Sequence, residues 1–168
     1  MKLREEAPAD YDAIREVNRL AFGGEDEARL VDRLREDGDV IASLVAVDKE
    51  RVVGHILFSE LPIETERGVR RGAALAPMAV RPGRQRGGIG SALVRRGLEV
   101  CRERGVGIVV VVGYPEYYPR FGFSAELAQR LRAPFSGEAF MALELAPGAL
   151  AEGVTGTVRY AKAFGPLH

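Results

Sequence analysis

The 168-residue sequence predicts an α/β chain of α+β-like arrangement, with a mixed sheet flanked by helices. Three observations predict it. Apolar residues recur at helical spacing in some segments and run continuously in others. Helix and strand signals alternate along the chain. The first strands are joined by short turns suited to hairpins, which argues against a doubly wound parallel sheet.

Residues 1–6 read as a short strand. Tyr11, Ile14, Val17 and Ala21 then recur at helical spacing, so residues 9–21 form an amphipathic helix that Phe22-Gly23-Gly24 breaks. A second helix follows near 26–37, with Ala28, Leu30, Val31 and Leu34 inward and Gly38 as its stop. Val40 to Val47 is apolar on both faces, as a central strand is. Asp48-Lys49-Glu50 turns the chain into a return strand, Val52 to Leu61. The charged stretch Glu64 to Gly72 reads as an exposed loop or hairpin tip. Ala73 to Val80 is the next strand, Ile89 to Arg104 a helix, Val106 to Val112 a strand and Tyr117 to Phe121 a short helix. Residues 138–145 and Val154 to Tyr160 read as further strands.

Composition narrows the function classes. Hydrophobic residues make up 46% and charged residues 29% of the chain, enough for one packed domain. The net charge of +0 gives no general drive toward nucleic acid or an anionic membrane. Only Lys2, Lys49 and Lys162 are lysines, so most of the 24 basic residues are arginine, whose forked donors suit phosphate. Cys101 is the only cysteine, so no internal disulfide forms, in keeping with a cytoplasmic setting. The N-terminus lacks a signal-peptide pattern. The longest strongly apolar run, Ile108 to Val112, falls far short of the roughly 18 residues of a membrane span.

The most informative unit is a strand, a loop and a helix: Leu75 to Val80, Arg81-Pro82-Gly83-Arg84, then Gln85-Arg86-Gly87-Gly88-Ile89-Gly90 opening the helix. A helix start carries backbone N–H groups without intrahelical partners, at the positive end of the helix dipole. A diphosphate placed there receives several N–H bonds at once. Gly88 and Gly90 lack side chains that would hold it away. Gly87 and Gly88 can take positive φ, which lets successive N–H groups converge. Arg81, Arg84 and Arg86 could add charge. Taken by themselves, the glycines fit a plain connector with solvated arginines equally well.

Two motifs together carry a resemblance. Gln85-Arg86-Gly87-Gly88-Ile89-Gly90 resembles the [Q/R]-x-x-G-x-[G/A] signature of the GNAT acetyltransferases, with Pro82 at the usual place. Tyr117-Tyr118-Pro119-Arg120-Phe121-Gly122-Phe123 resembles the family's Tyr-x-[R/K]-Phe-Gly-Phe segment. One helix and one strand separate them, as in the family. The likeness extends over nearly the whole chain and is greatest to small bacterial N-acetyltransferases. It implies the GNAT fold, with a mixed, mostly antiparallel central sheet. It also implies one domain over 1–168, in which 147–168 is a C-terminal extension that caps the cleft or forms a dimer contact.

The resemblance implies acetyl-CoA as cosubstrate and no metal. Met78, Ala79 and Val80 would bond the pantetheine arm through their backbone, with the Met78 N–H facing the thioester oxygen. Arg86, Gly87, Gly88, Ile89, Gly90 and Ser91 would hold the diphosphate. Tyr118 aligns with the general acid that protonates the leaving thiolate. The base is open. Glu25 and Glu27 lie where the family's acceptor cleft is lined, Glu60 and Glu64 lie near a strand end, and Tyr114 could face the substrate. His55 reads as a hydrogen-bonded sheet residue and Cys101 as core. Tyr117 reads as core or substrate wall.

The function implied is transfer of an acetyl group to a primary amine, on a small molecule or a peptide, by a monomer or homodimer. The alternative is a non-catalytic acyl-CoA-binding sensor, which needs the phosphate turn but not Tyr118. Nucleic-acid binding is disfavoured by the neutral charge and by the lack of an RNA-binding aromatic motif.

Overall fold

The computed structural model describes residues 1–151 and 153–165. Strand β1 (Lys2–Glu5) leads through a single 3-10 turn at Pro8–Asp10 into helix α1 (Tyr11–Phe22). Pro8 suits the start of that turn because its φ is preset and the N–H it lacks would have no partner. The Asp10 carboxylate accepts from the Ala7 N–H at 2.7 Å and from Arg4, tying the turn to β1. Gly23, at φ +75°, ends α1 in the left-handed region that a side chain disfavours. Helix α2 (Asp26–Glu36) follows almost at once. Ile14, Val17, Ala28, Val31 and Leu34 are buried, as their spacing predicts. Leu30 is only half-buried.

Strands β2 (Val40–Asp48) and β3 (Arg51–Thr65) form a hairpin. Its two turn residues, Lys49 and Glu50, have φ +50° and +63°, the mirror-image turn that matches strand twist. Strand β4 (Gly68–Val80) returns against β3. Of the two readings of the charged stretch 64–72, exposed loop or hairpin tip, the structure shows the hairpin tip: Glu66 and Arg67 make the turn and the rest is strand. The strands run further into it than composition suggested, because the side chains here face solvent while the backbone pairs. Arg71 pairs with Glu60 across the ribbon, and Glu64 pairs with Arg159 just beyond β8.

Helix α3 (Ile89–Glu103) crosses over to strand β5 (Ile108–Val112), and a 3-10 turn covers Tyr118–Phe121. Helix α4 (Ala125–Ala128) and strand β6 (Leu131–Arg132) come next; neither is among the expected elements. Ser124 caps α4 by accepting from the Leu127 N–H at 3.0 Å. Strand β7 (Phe140–Glu144) and strand β8 (Gly156–Val158) complete the sheet, before a last 3-10 turn at Lys162–Phe164. β8 is shorter than the span 154–160 predicted for it.

The strand order is β1-β2-β3-β4-β5-β7, with β8 alongside the far end of β3 and β6 against β8. β4/β5 and β6/β8 pair parallel and the other pairs antiparallel, the mixed, mostly antiparallel sheet expected.

Helices cover the two faces separately. α3 packs Ile89, Leu93 and Val94 on Leu44, Ile56 and Phe58. α1 and α2 pack Ile14, Val17, Val31 and Leu34 on Val45, Leu57 and Ala79 of the opposite face. A methyl group on Gly97 of α3 would lie 2.2 Å from the Phe58 ring, so glycine sets the helix-to-sheet distance.

The sheet parts at its centre. β4 and β5 pair only from Gly72 to Ala74 against Ile108 to Val110, although β4 runs on to Val80 and β5 to Val112. At the parting, β4 contributes Ala76 and Pro77 where β3 contributes Leu57 alone. This bulge bends β4, and Pro77 has no N–H to give a neighbour.

Candidate functional site

The parting opens into a cleft of about 1180 Å³. Its floor is β4 from Leu75 to Val80. Arg86 and Gly88 to Ser91 line it from the α3 face. Ala21, Phe22, Glu27 and Leu30 line it from the α1/α2 face. Val111 to Tyr114 and Glu116 to Tyr118 form the wall beyond β5. The cleft thus passes through the sheet and joins its two faces.

At the α3 end, Arg86 has φ +66° and Gly88 has φ +86°, while Gly87 between them does not take positive φ. The left-handed positions expected at Gly87 and Gly88 therefore fall on Arg86 and Gly88. Left-handed residues that alternate with ordinary ones make successive N–H groups converge into an anion-binding nest. The N–H groups of Gly88, Ile89, Gly90 and Ser91 have no acceptor among the described residues. Gln85 braces the loop by donating its side-chain amide to the Val80 carbonyl at 3.1 Å. A side chain on Gly90 would point at Met78 Sδ and Tyr117 Oη, 3.4 and 3.6 Å away, so this glycine serves close packing over the floor.

The three arginines of the loop have different surroundings. Arg81 is buried; it donates to the Val52 carbonyl and to Glu16, both at 2.8 Å, and so locks β4 to β3 and α1. Arg84 pairs with Asp48 at 2.9 Å. Arg86 has no ion-pair partner among the described residues and lines the cleft. Of the charges expected to serve a phosphate, Arg81 is thus committed to the fold.

Tyr118 is 7% exposed, on the α3 side of the cleft. Burial, with Tyr117 and Tyr114 nearby, pushes its phenol up to about 12. It is therefore protonated throughout the neutral range. Tyr117 packs edge-on to it at 5.0 Å and shares a 2.9 Å hydrogen bond with the Ser91 hydroxyl, which links the 3-10 turn to the start of α3. The Arg120 guanidinium covers the Tyr117 ring at 4.5 Å.

Among the suggested acceptor-side residues, Glu27 and Tyr114 line the cleft and Glu25 does not. Glu25 pairs with Arg19 at 3.1 Å on the helix surface. Glu60 and Glu64 are held by Arg71 and Arg159, away from the cleft. Glu116, which sequence reasoning missed, also lines it. Its signal was its place between Tyr114 and Tyr118, in a loop leaving a strand end.

His55 is fully buried between Asn18, 3.2 Å from Nδ1, and Ser43, 2.9 Å from Nε2. Asn18 also donates to the Ile14 carbonyl, so its amide NH₂ faces His55 and Nδ1 is the acceptor. Ser43 in turn donates to Glu6, which Arg35 holds in two bonds of 2.9 Å. This histidine joins α1 to the sheet, as its position in a strand suggested. Cys101 is buried in the α3 core, also as expected. Among the described residues, no group of three or more His, Cys, Asp or Glu side chains could hold a metal, and no helix is long and apolar enough to cross a membrane.

Residues 2–125 match the acetyltransferase (GNAT) domain family. The chain belongs to the GNAT acetyltransferases. Two relatives are named as N-acetyltransferases. The uncharacterized N-acetyltransferase YhbS of Escherichia coli K12 is 38% identical over 167 residues, 98% of each chain. The uncharacterized N-acetyltransferase YjhQ of the same strain is 42% identical over 117 residues, 68% of this chain and 65% of its own. Among solved structures, the GNAT protein YhbS of E. coli in complex with CoA superposes with a TM-score of 0.88 at 36% identity, over 99% of this chain and 93% of that one. A GNAT acetyltransferase of Brucella melitensis in complex with acetyl-CoA superposes with a TM-score of 0.80 at 34% identity, over 97% of each. The GNAT family is thus established by sequence and fold together.

Proposed function

We propose that this GNAT protein transfers an acetyl group from acetyl-CoA to a primary amine by direct attack in a ternary complex. The observation that carries the reading is the cleft through the sheet, which puts a nest of free N–H groups and the buried Tyr118 on one passage. The relatives solved with CoA and acetyl-CoA support the same donor here. On this reading, residues 1–168 act as one domain. β8, from the C-terminal extension, pairs with Ile63 to Thr65 of β3 and so joins the same sheet.

Arg86 to Ser91 would bind the diphosphate of the donor, and Met78 to Val80 its pantetheine arm. The amine nitrogen attacks the thioester carbonyl carbon, the C–N bond forms, and the C–S bond breaks as the intermediate collapses. Tyr118 would give its proton to the departing sulfur. Its raised pKa does not bar this step, because desolvation raises a thiol as well. The incoming amine must shed a proton to attack, and Glu27 and Glu116 are the carboxylates on the cleft that could accept it directly or through water.

Calorimetry and a thiol-release assay test this. Acetyl-CoA should bind the wild-type protein. Gly88→Val, which forces a branched side chain into a left-handed position, should weaken that binding at least tenfold while the protein stays folded. Unchanged affinity in a folded Gly88→Val protein would remove the nest from the reading.

A further inference from the structure

The two ends of the cleft differ in chemistry. The α3 end offers backbone N–H groups, Arg84 and Arg86, and Arg120 lines the cleft where its guanidinium lies over the Tyr117 ring. The side chains that line the cleft from the α1/α2 face are Ala21, Phe22, Glu27 and Leu30, three apolar groups and one carboxylate. Because the diphosphate nest is on the α3 face, the acceptor enters from this opposite face.

Two further observations bear on what enters there. The described surface exposes few large hydrophobic side chains, and three of them, Phe22 at 45%, Val112 at 49% and Tyr114 at 71%, line this one cleft. Exposed apolar groups gathered at a concave site mark a surface that a ligand covers. The carboxylates of the cleft are also free. Glu27 and Glu116 have no ion-pair partner among the described residues, whereas Glu25, Glu60 and Glu64 outside it are each held by an arginine. Beyond Glu27 and Leu30 lies a smaller recess of about 240 Å³, which those two residues share with the cleft and which Phe164 also lines. Asp26 and Ala163 complete the lining of this recess, so a second carboxylate as well as apolar surface continues past Glu27.

From this pairing we infer that the acceptor is a small cationic amine with an apolar body. Its ammonium faces Glu27 and Glu116, and its hydrocarbon part covers Phe22, Leu30, Val112 and Tyr114. The inference rests on the transferase reading above and names its substrate class. Polyhydroxylated amines would leave their hydroxyls against these apolar walls without partners, which costs binding. Zwitterionic amino acids would bring a carboxylate against Glu27 and Glu116.

The test is a thiol-release assay at saturating acetyl-CoA with hexylamine, phenethylamine, glucosamine and free alanine as acceptors, and a peptide with an N-terminal phenylalanine as a further arm. Phenethylamine and hexylamine should show kcat/KM at least tenfold above glucosamine and alanine. Phe22→Ser, at an exposed position, should raise the KM for phenethylamine about tenfold and leave acetyl-CoA affinity unchanged. Glu27→Gln should lower kcat/KM for the same amine. A preference for glucosamine, alanine or the peptide, or an unchanged KM in Phe22→Ser, overturns the acceptor class while turnover still upholds the transferase reading. Acetyl-CoA binding without turnover on any of the five overturns both. Failure to bind acetyl-CoA at all refutes the cofactor reading at its root.

Discussion

Tyr118 owes its seat to Gly113. A methyl group there would lie 2.4 Å from the Tyr118 ring, so only glycine lets the ring lie against the end of β5. Tyr118→Phe removes the hydroxyl and keeps that packing. On the proposed mechanism it lowers kcat on the order of a hundredfold, at the low end for a lost general acid, with acetyl-CoA affinity unchanged; single-turnover and equilibrium binding measurements separate the two. At this scale a residue type rare in a pattern was the better guide: Gly88, Gly90, Tyr117 and Tyr118 line the cleft, although Gly87 does not and Arg86 takes the left-handed position expected of Gly87. It was least legible for charges. Arg81 and Arg86 both belong to the basic loop, yet one is buried between β3 and α1 and the other faces the cleft, and that difference is made by strands distant in sequence. Glu25, Glu27, Glu60 and Glu64 were equivalent by the same criterion until the ion pairs separated them.

The helices and strands with strong periodicity, α1 to α3 and β2 to β5, were readable because each has one apolar face or none that is polar. α4, β6 and the ends of β8 were not. They are short, and pairing with distant strands, not local pattern, decides them. How far the β3–β4 strands run into their charged hairpin tip was hidden for a related reason, since backbone pairing is indifferent to the charge of outward side chains. The contact of α3 with the sheet gives an element-level prediction. Gly97→Ala should destabilise the protein by about 1–3 kcal/mol through overpacking against Phe58. Calorimetry should register this as a melting temperature several degrees lower, and an unchanged melting temperature would mean that α3 packs at a greater distance than described.

Across the whole molecule, the network from Asn18 through His55, Ser43 and Glu6 to Arg35 ties α1, β2, β3 and α2 together. Burial holds the His55 imidazole down at about 4, against an ordinary 6.5. Between those two values the unfolded chain takes up a proton that the native protein refuses, so stability rises with pH across this window and is lost as pH falls through it. The loss between pH 7 and pH 5 should be about 2 kcal/mol from this residue, to be read from urea midpoints at the two pH values; equal midpoints would contradict a neutral, buried imidazole. The general architecture was legible from alternating signals and hairpin turns, but the parting of β4 from β5 was not, because it depends on where a parallel pair stops bonding. That parting has an evolutionary consequence. On the proposed reading, donor and acceptor would lie on opposite sides of one sheet, so replacements in α1 and α2 would retune the acceptor without disturbing the glycine-rich loop behind it. A lineage built this way would change what it modifies while inheriting the handle by which it grips the donor.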